Sequence, residues 1–148
     1  MKKLIFMAVI LFSFSVNAAH HKQNDLTNEE VVMKAYSTFA EGDNESWSKL
    51  HSNDLKFTVY GNLPQSGTHI GTEATIKNVF EVIQKHWPNF KLEKINIDTV
   101  GDTVYVLNHM TADNLDTYTL HMFKVKNGKI KSFTAFDDTD ALKLSMIK

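Results

Sequence analysis

The stretch TYTLHMFKVKNGKIKSFTAFDD, residues 117–138, predicts two antiparallel strands joined by a tight turn. Asn127-Gly128 is the strongest hairpin signal in the chain, because a two-residue type I′ turn needs positive φ at both positions. Such a turn pairs Lys126 with Lys129, and successive side chains then alternate between two faces. One face carries the four lysines of the hairpin and is predicted to be the outer one. The inner face is predicted to carry His121, Phe123, Val125, Ile130, Thr134 and Phe136.

Two further strands are predicted before this hairpin. They cover residues 90–100 and 103–112 and meet at a Gly-Asp turn. With the following DNLD segment as a four-residue turn, Asn108 lies opposite His121 on the inner face. Asn108, His121 and Thr134 then form a polar row across three strands, set among apolar neighbours. Such a row predicts either a ligand-facing site or a buried hydrogen-bonded network that holds strand register, and the pattern favours neither.

Three helices are predicted before the meander. The first begins at a capping box formed by Thr27 and Glu30, has apolar residues at helical spacing, and ends at Gly42. A short second helix follows it. A third helix, of residues 72–87, carries an apolar stripe and stops at Pro88. The order of helices, strand, helix and antiparallel meander predicts an α+β fold with helices on one face of a sheet.

The first 18 residues, MKKLIFMAVILFSFSVNA, are typical of a signal peptide. Two lysines precede an apolar run that is too short to span a bilayer, and the small residues near Ala18 suit cleavage there. A polar arm follows over residues 19–26, and a single domain is predicted over residues 27–148. We therefore expect a periplasmic or secreted protein without a membrane partner.

The composition excludes several classes of function. The chain has no cysteine, so neither a disulfide framework nor a cysteine-linked lipid anchor is expected. It has no arginine, and removal of Lys2 and Lys3 from its 16 basic residues leaves 14 against 17 acidic ones, a net charge of −3. Nucleic-acid binding is therefore not expected. No motif for a metal, a nucleotide or a cofactor occurs, so the predicted ligand is a small hydrophobic or weakly polar molecule.

Three segments resemble the SnoaL-like, nuclear-transport-factor-two-like superfamily. They are AYSTFAEGDNESWSKL at residues 35–50, LPQSGTHIGTEAT at 63–75 and the NGKI turn at 127–130. That group includes ketosteroid isomerases and polyketide cyclases. The resemblance implies a cone-shaped α+β fold, in which a curved antiparallel sheet wraps a long helix and leaves an apolar pocket open at one end.

The resemblance also bears on the site. Ketosteroid isomerases carry a carboxylate base after the second helix, but residues 57–70 contain no carboxylate here, so steroid isomerisation by that mechanism is not expected. Tyr36 lies in the helix that supplies a tyrosine in that family, although an ungapped alignment puts Ala35 at its position. His121 aligns with the acidic residue that, in ketosteroid isomerases, donates a hydrogen bond to the negatively charged oxygen of the intermediate. We therefore predict His121 as a catalytic residue. The predicted ligand-binding residues are Tyr36, Tyr60, Asn108, Thr134 and Phe123.

Two features leave alternatives open. By alternation along the last strand Asp138 faces inward and Asp137 outward. Asp138 is therefore predicted either to be catalytic beside His121 or to cap a C-terminal helix. The glycine-rich segment TVYGNLPQSGTHIG, residues 58–71, is either a structural turn or the rim of the pocket, in which case Tyr60 contacts the ligand.

Two functions fit these observations. One is an exported domain whose apolar pocket holds a small neutral molecule and performs proton-transfer chemistry of isomerase, cyclase or dehydratase type. The other is a non-catalytic domain for ligand binding or assembly. A homodimer is also predicted, because exposed apolar patches often mark interfaces. The outer face of the sheet is predicted to carry Tyr105, Leu107, Phe133 and Ala135.

Overall fold

A computed structural model describes residues 26–148, so the predicted signal peptide and most of the polar arm lie outside the described residues. The first helix, α1 (Asn28–Glu41), begins and ends where the sequence predicts. The Thr27 hydroxyl accepts the Glu30 N–H at 3.2 Å, and the Glu30 carboxylate accepts the Thr27 N–H at 2.7 Å. The chain leaves the helix through Gly42, whose φ of 69° is in the left-handed region.

A second helix, α2 (Asn44–Lys49), follows at once and is capped by Asp43. The third predicted helix is continuous from residue 72 to residue 86 but is not regular. A π-helical turn interrupts it, and such turns are frequent at functional sites. This turn places Val79 and Phe80 in the core. The parts of the third helix are α3 (Thr72–Thr75), the π turn (Ile76–Phe80) and α4 (Glu81–His86).

The strands within the described residues form one six-stranded sheet, and a last helix follows the final strand. The strands are β1 (His51–Val59), β2 (Gly67–Ile70), β3 (Lys91–Val100), β4 (Thr103–Ala112), β5 (Leu115–Lys126) and β6 (Lys129–Asp137), and the helix is α5 (Thr139–Ser145). The strand order is β2-β1-β6-β5-β4-β3. The four strands from β3 to β6 form the predicted antiparallel meander.

The sheet as a whole is mixed, because β1 pairs with β6 in parallel. The prediction of a wholly antiparallel sheet is therefore wrong, although the α+β class and the curved sheet are confirmed. Hairpin signals report pairing between neighbours in the chain, and β1 and β6 are far apart in sequence. The prediction also missed β2, which pairs with β1 and begins inside the glycine-rich segment.

A bulge in the β5–β6 hairpin changes which residues of β6 face inward. Next to the turn the predicted pairs hold, with Val125 opposite Ile130. The register then shifts, because Lys131 has no partner and the next pair joins Lys124 to Ser132. From there on every side chain of β6 lies on the face opposite to the predicted one. The inner face therefore carries Phe133, Ala135 and Asp137, and the outer face carries Thr134 and Phe136, while Asp138 lies beyond the end of the strand.

The β4–β5 hairpin differs from the prediction without changing faces. Its turn has two residues and not four, so that Ala112 pairs with Leu115. As a result Asn108 lies opposite Thr119, and His121 lies opposite Val106. A shift of two residues preserves the face of every side chain, because the pleat has a period of two. Asn108 and His121 are thus both on the inner face, as predicted.

The core lies between the helices and the inner face of the sheet. Its main cluster joins α1 and the π turn to β1, β4, β5 and β6. A second cluster lies next to it, around the indole of Trp87, which donates to the Leu142 carbonyl at 3.1 Å. No helix within residues 26–148 is long and apolar enough to cross a bilayer.

The segment of residues 61–66, which we call the cover loop, joins β1 to β2 and packs on α5. Gly61 has a φ of 118°, and a Cβ at this position would lie 2.8 Å from the Thr139 methyl carbon. Leu63 and Gln65 are buried. The glycine-rich segment is therefore both the predicted turn and an ordered part of the domain interior.

Replacement of Gly61 by Ala should lower the free energy of unfolding by about 3 kcal/mol, because it adds backbone strain and a steric clash with α5. Gly101→Ala is the matched control, since Gly101 also has positive φ but no atom within 4 Å of its added Cβ. It should cost about 1 kcal/mol in denaturant titrations. An equal loss of free energy of unfolding at the two positions would show that Gly61 is not in close contact with α5.

Candidate functional site

A cavity opens between α1, the π turn and the inner face of the sheet. Its volume is about 700 Å³ when solvent at the mouth is included. Most of its wall is aromatic or aliphatic. The polar side chains of the wall belong to Tyr36, His51, Gln65, His121 and Asp137. A cavity with an apolar wall and a few polar groups is the usual form of a small-molecule site.

A hydrogen-bonded network connects α1 to β4 and β5 at one side of the cavity. The Tyr36 hydroxyl lies 2.7 Å from Nδ1 of His121 and 3.1 Å from Nδ2 of Asn108. Nδ2 of Asn108 also donates to the Val106 carbonyl at 3.3 Å. That carbonyl fixes the orientation of the amide, because only the nitrogen end can donate to it. Asn108 therefore donates to the Tyr36 oxygen.

This arrangement assigns the proton on His121. Tyr36 has one hydroxyl hydrogen, and among residues 26–148 the acceptor available to it is Nδ1 of His121. Nδ1 is then unprotonated, so the neutral imidazole carries its hydrogen on Nε2. Within the described residues Nε2 has no hydrogen-bond partner, and His121 lines the cavity. The network thus leaves an N–H donor for a bound molecule.

The surroundings keep His121 neutral. Burial lowers the pKa of His121 to about 3, because an imidazolium would lose its hydration there. Burial likewise raises the pKa of Tyr36 above its ordinary value, and the hydrogen bond from Asn108 opposes this rise. Both side chains are therefore uncharged at neutral pH, and the neutral imidazole of His121 has an N–H available on the cavity side.

Asp137 is the carboxylate of the cavity, in place of the predicted Asp138. It lies on β6 opposite Thr119, whose hydroxyl donates to Oδ1 at 2.6 Å. Burial raises the pKa of Asp137, and the Thr119 hydrogen bond opposes this effect. A carboxyl with a raised pKa at an apolar cavity is a common feature of acid–base sites, because it stays protonated closer to neutral pH.

Asp138 lies outside the cavity and caps α5. Its side chain accepts the Ala141 N–H at 3.0 Å and the Thr117 hydroxyl at 3.0 Å. These hydrogen bonds lower its pKa. The prediction that Asp138 faces inward is therefore wrong, and the alternative of a helix cap is confirmed. The bulge at Lys131 turns Asp137 inward, and the strand ends there, so Asp138 instead begins α5.

The other predicted ligand-binding residues divide into two groups. Phe123 lines the cavity with Tyr36, and Asn108 lies fully buried behind them. Thr134 is on the outer face opposite Met122, so its placement in the polar row is wrong. Tyr60 is 58% exposed and does not line the cavity; its ring lies 5.7 Å from that of Phe136.

Sequence reasoning missed three polar residues of the cavity wall, Asp137, Gln65 and His51. His51 donates from Nδ1 to the Trp47 carbonyl at 2.7 Å, and burial lowers its pKa to about 4. No local pattern distinguishes these residues, because a bulge and the path of the cover loop bring them inward. Within residues 26–148 no three metal-ligating side chains cluster together.

Solved structures with similar folds are found for most of the chain. An NTF2-like protein from Burkholderia thailandensis aligns with a TM-score of 0.73 and 21% identity, over 81% of this chain and 97% of its own. TerC, co-crystallised with polyporic acid, aligns with a TM-score of 0.72 and 18% identity, over 80% and 96%. A candidate SnoaL-like polyketide cyclase from a Jannaschia species aligns with a TM-score of 0.70 and 18% identity, over 80% and 90%.

These comparisons define the fold. The chain has the NTF2-like, SnoaL-like fold, which confirms the structural part of the resemblance seen in the sequence. No protein-family model and no curated protein matches the sequence. At such low identity the likeness carries no activity across, because this kind of fold supports many functions. The function has to be inferred from the cavity.

The two buried histidines predict a loss of stability in acid. Their folded-state pKa values, about 4 for His51 and about 3 for His121, lie below the 6.5 of an unfolded chain. Below pH 6.5 the unfolded state therefore binds more protons than the folded state. The free energy of unfolding decreases as the pH is lowered through that range. Denaturant titrations should show a loss of about 2 kcal/mol per histidine at pH 5. His121→Phe should remove the contribution of His121, about 2 kcal/mol of this loss, and an equal loss in the variant and in the wild-type protein would contradict the assignment.

Proposed function

We propose that the protein is a proton-transfer enzyme that acts on a small, largely apolar molecule bound in the cavity. The observation that carries this proposal is Asp137, an ionisable carboxyl with a raised pKa in an otherwise apolar wall. Keeping such a group in a cavity of this kind costs stability, so a chemical role accounts for it better than packing does.

The geometry supports a division of roles. The ionised Asp137 takes a proton from a C–H bond next to a carbonyl, and the electron pair moves onto the carbonyl oxygen. The Nε2 hydrogen of His121 donates a hydrogen bond to that oxygen as it becomes negative. Tyr36 and Asn108 hold the imidazole in the required tautomer. The protonated Asp137 then returns its proton to another atom, as isomerisation, cyclisation and dehydration each require.

The comparisons are in keeping with this proposal. TerC was co-crystallised with a small molecule, polyporic acid, and the Jannaschia protein is a candidate polyketide cyclase. A second candidate function is non-catalytic binding of a small hydrophobic ligand. The mostly apolar and aromatic wall of the cavity supports this second function. It includes Phe57 and Phe133, whose stacked rings have centroids 4.0 Å apart. The two functions differ in whether Asp137 moves a proton.

Hydrogen exchange separates the two functions. Molecules retained on purification would first be identified by mass spectrometry and then incubated with the protein in deuterated buffer. We expect the wild-type protein to accelerate deuterium incorporation next to a carbonyl of such a molecule. Asp137→Asn should slow this exchange by about 100-fold or more, because Asn keeps an acceptor for Thr119 but takes up no proton.

Asp138→Asn is the matched control, because it changes the neighbouring carboxylate, which caps α5 and does not line the cavity. It should leave the exchange rate unchanged.

Asp137→Asn should also raise the free energy of unfolding at pH 7. The raised pKa means that ionisation of Asp137 is less favourable in the folded state than in the unfolded state. The wild-type protein therefore loses stability as the pH rises above the ordinary aspartate range, and the variant does not. Binding without wild-type exchange would establish the carrier function instead.

We also propose that the protein forms a homodimer through the outer face of the sheet. Leu107, Leu120 and Phe136 lie opposite one another on three adjacent strands and form an exposed apolar row. Phe133 and Ala135, which the sequence placed on this face, are buried in the core instead. The row is a contiguous patch of the kind that often marks an interface.

Light scattering at micromolar concentration should give the mass of a dimer for the protein without its first 18 residues. Leu120→Lys should give a monomer, because it places a charge in the middle of the apolar row. Leu144→Lys, on the outside of α5 where Leu144 is 89% exposed, should leave the dimer intact. A monomeric wild-type protein would refute the proposed interface.

Export remains a prediction from the first 18 residues of the sequence. We propose a periplasmic or secreted location with cleavage after Ala18, on the basis of the lysines and the apolar run that follows them.

A further inference from the structure

Gln65 is a buried polar residue without a hydrogen-bond partner for its side chain. It is 3% exposed and lines the cavity. Its Oε1 atom is buried and accepts no hydrogen bond from any group of residues 26–148. A buried amide oxygen without a partner is costly, and most such groups in folded proteins are satisfied. This one therefore needs an explanation.

The position of Gln65 is fixed by an ordered loop. The Ser66 N–H donates to the Leu63 carbonyl at 2.9 Å, and the Ser66 hydroxyl accepts the Leu63 N–H at 2.9 Å. The His69 imidazole donates to the Gln65 carbonyl at 3.1 Å. At the start of the loop Gly61 packs closely against α5. These contacts hold the backbone on both sides of Gln65, so its side chain is presented to the cavity by a rigid segment.

Two other buried side-chain atoms in the described residues are similarly unpaired, Ser52 Oγ and Asn108 Oδ1. Neither Ser52 nor Asn108 lines the cavity. Asn108 has a structural role, because its nitrogen supports Tyr36. Gln65 differs from both in that it combines an unpaired oxygen with a place in the cavity wall.

We propose that Gln65 is a specificity-determining residue that binds a hydroxyl group of the molecule held in the cavity. An amide end offers an acceptor and a donor side by side, and a hydroxyl group can pair with either. The ligand class is therefore an apolar molecule with an alcohol or phenol group, and not a plain hydrocarbon or ether. This inference rests on the proposed function, since it requires a small molecule in the cavity.

The first test needs no ligand. Gln65→Met keeps the length of the side chain and removes its polar end. We expect the Tm of the ligand-free protein to rise by about 3 °C, because the unpaired amide is no longer buried. Gln84→Met, at an exposed position of α4, is the matched control and should leave the Tm unchanged. A fall in Tm for Gln65→Met alone would show that Gln65 stabilises the fold, and it would overturn the proposal.

The second test uses isothermal titration calorimetry with two probes, 4-ethylphenol and 4-ethylanisole, which share the same benzene ring and ethyl group. The phenol carries a hydroxyl hydrogen that the methyl ether lacks. We expect the wild-type protein to bind the phenol about tenfold more tightly, and Gln65→Met to bind both probes equally. Asp137→Asn should retain a preference for the phenol, since Gln65 is intact in that variant.

The outcomes distinguish this inference from the proposed function. Equal affinity of the wild-type protein for both probes, or an unchanged preference in Gln65→Met, would overturn the role of Gln65 and leave proton transfer by Asp137 standing. Failure of the wild-type protein to bind either probe would overturn the ligand class proposed here, while the deuterium exchange of retained molecules would still decide the proposed function.

Discussion

One unpaired residue in the sheet determines the chemistry of the cavity. Because Lys131 adds a residue to β6, the strand beyond it presents Phe133, Ala135 and Asp137 to the interior. Without the bulge the same strand would turn Phe136 and Asp138 inward. The apolar stack of Phe133 on Phe57 and the only carboxylate that lines the cavity within residues 26–148 both follow from this single insertion. Bulges of this kind often re-aim side chains next to functional sites.

The cavity combines an apolar wall with polar groups whose charged forms are suppressed. Burial lowers the pKa of His121 and raises that of Asp137, so each is shifted toward its neutral form. The same physical cause therefore makes the imidazole a neutral donor and the carboxyl a base of raised affinity for protons. Groups held in this way cost folding stability, which is the usual relation between a site and the fold that carries it.

Several distant parts of the chain have to meet before the cavity exists. The π turn aims Val79 and Phe80 at the sheet, α1 brings Tyr36 to His121, and the cover loop brings in Gln65. The parallel pairing of β1 with β6 then joins the first half of the domain to the meander. The site is a product of these long-range contacts and not of any one segment.

The sequence by itself determined the elements and most of the faces. The capping box at Thr27, the turn at Asn127-Gly128 and the two-residue alternation predicted the first helix, the meander and an inward-facing His121, because these signals depend on neighbours in the chain. Even the wrong turn before β5 left Asn108 on the correct face, since a slip of two residues preserves the pleat. Only the tertiary structure decided that Asp137 and not Asp138 faces the cavity, that Thr134 faces outward, and that β1 runs parallel to β6. A bulge shifts the register by one residue, and a parallel pair joins segments distant in sequence, so neither leaves a local pattern to read.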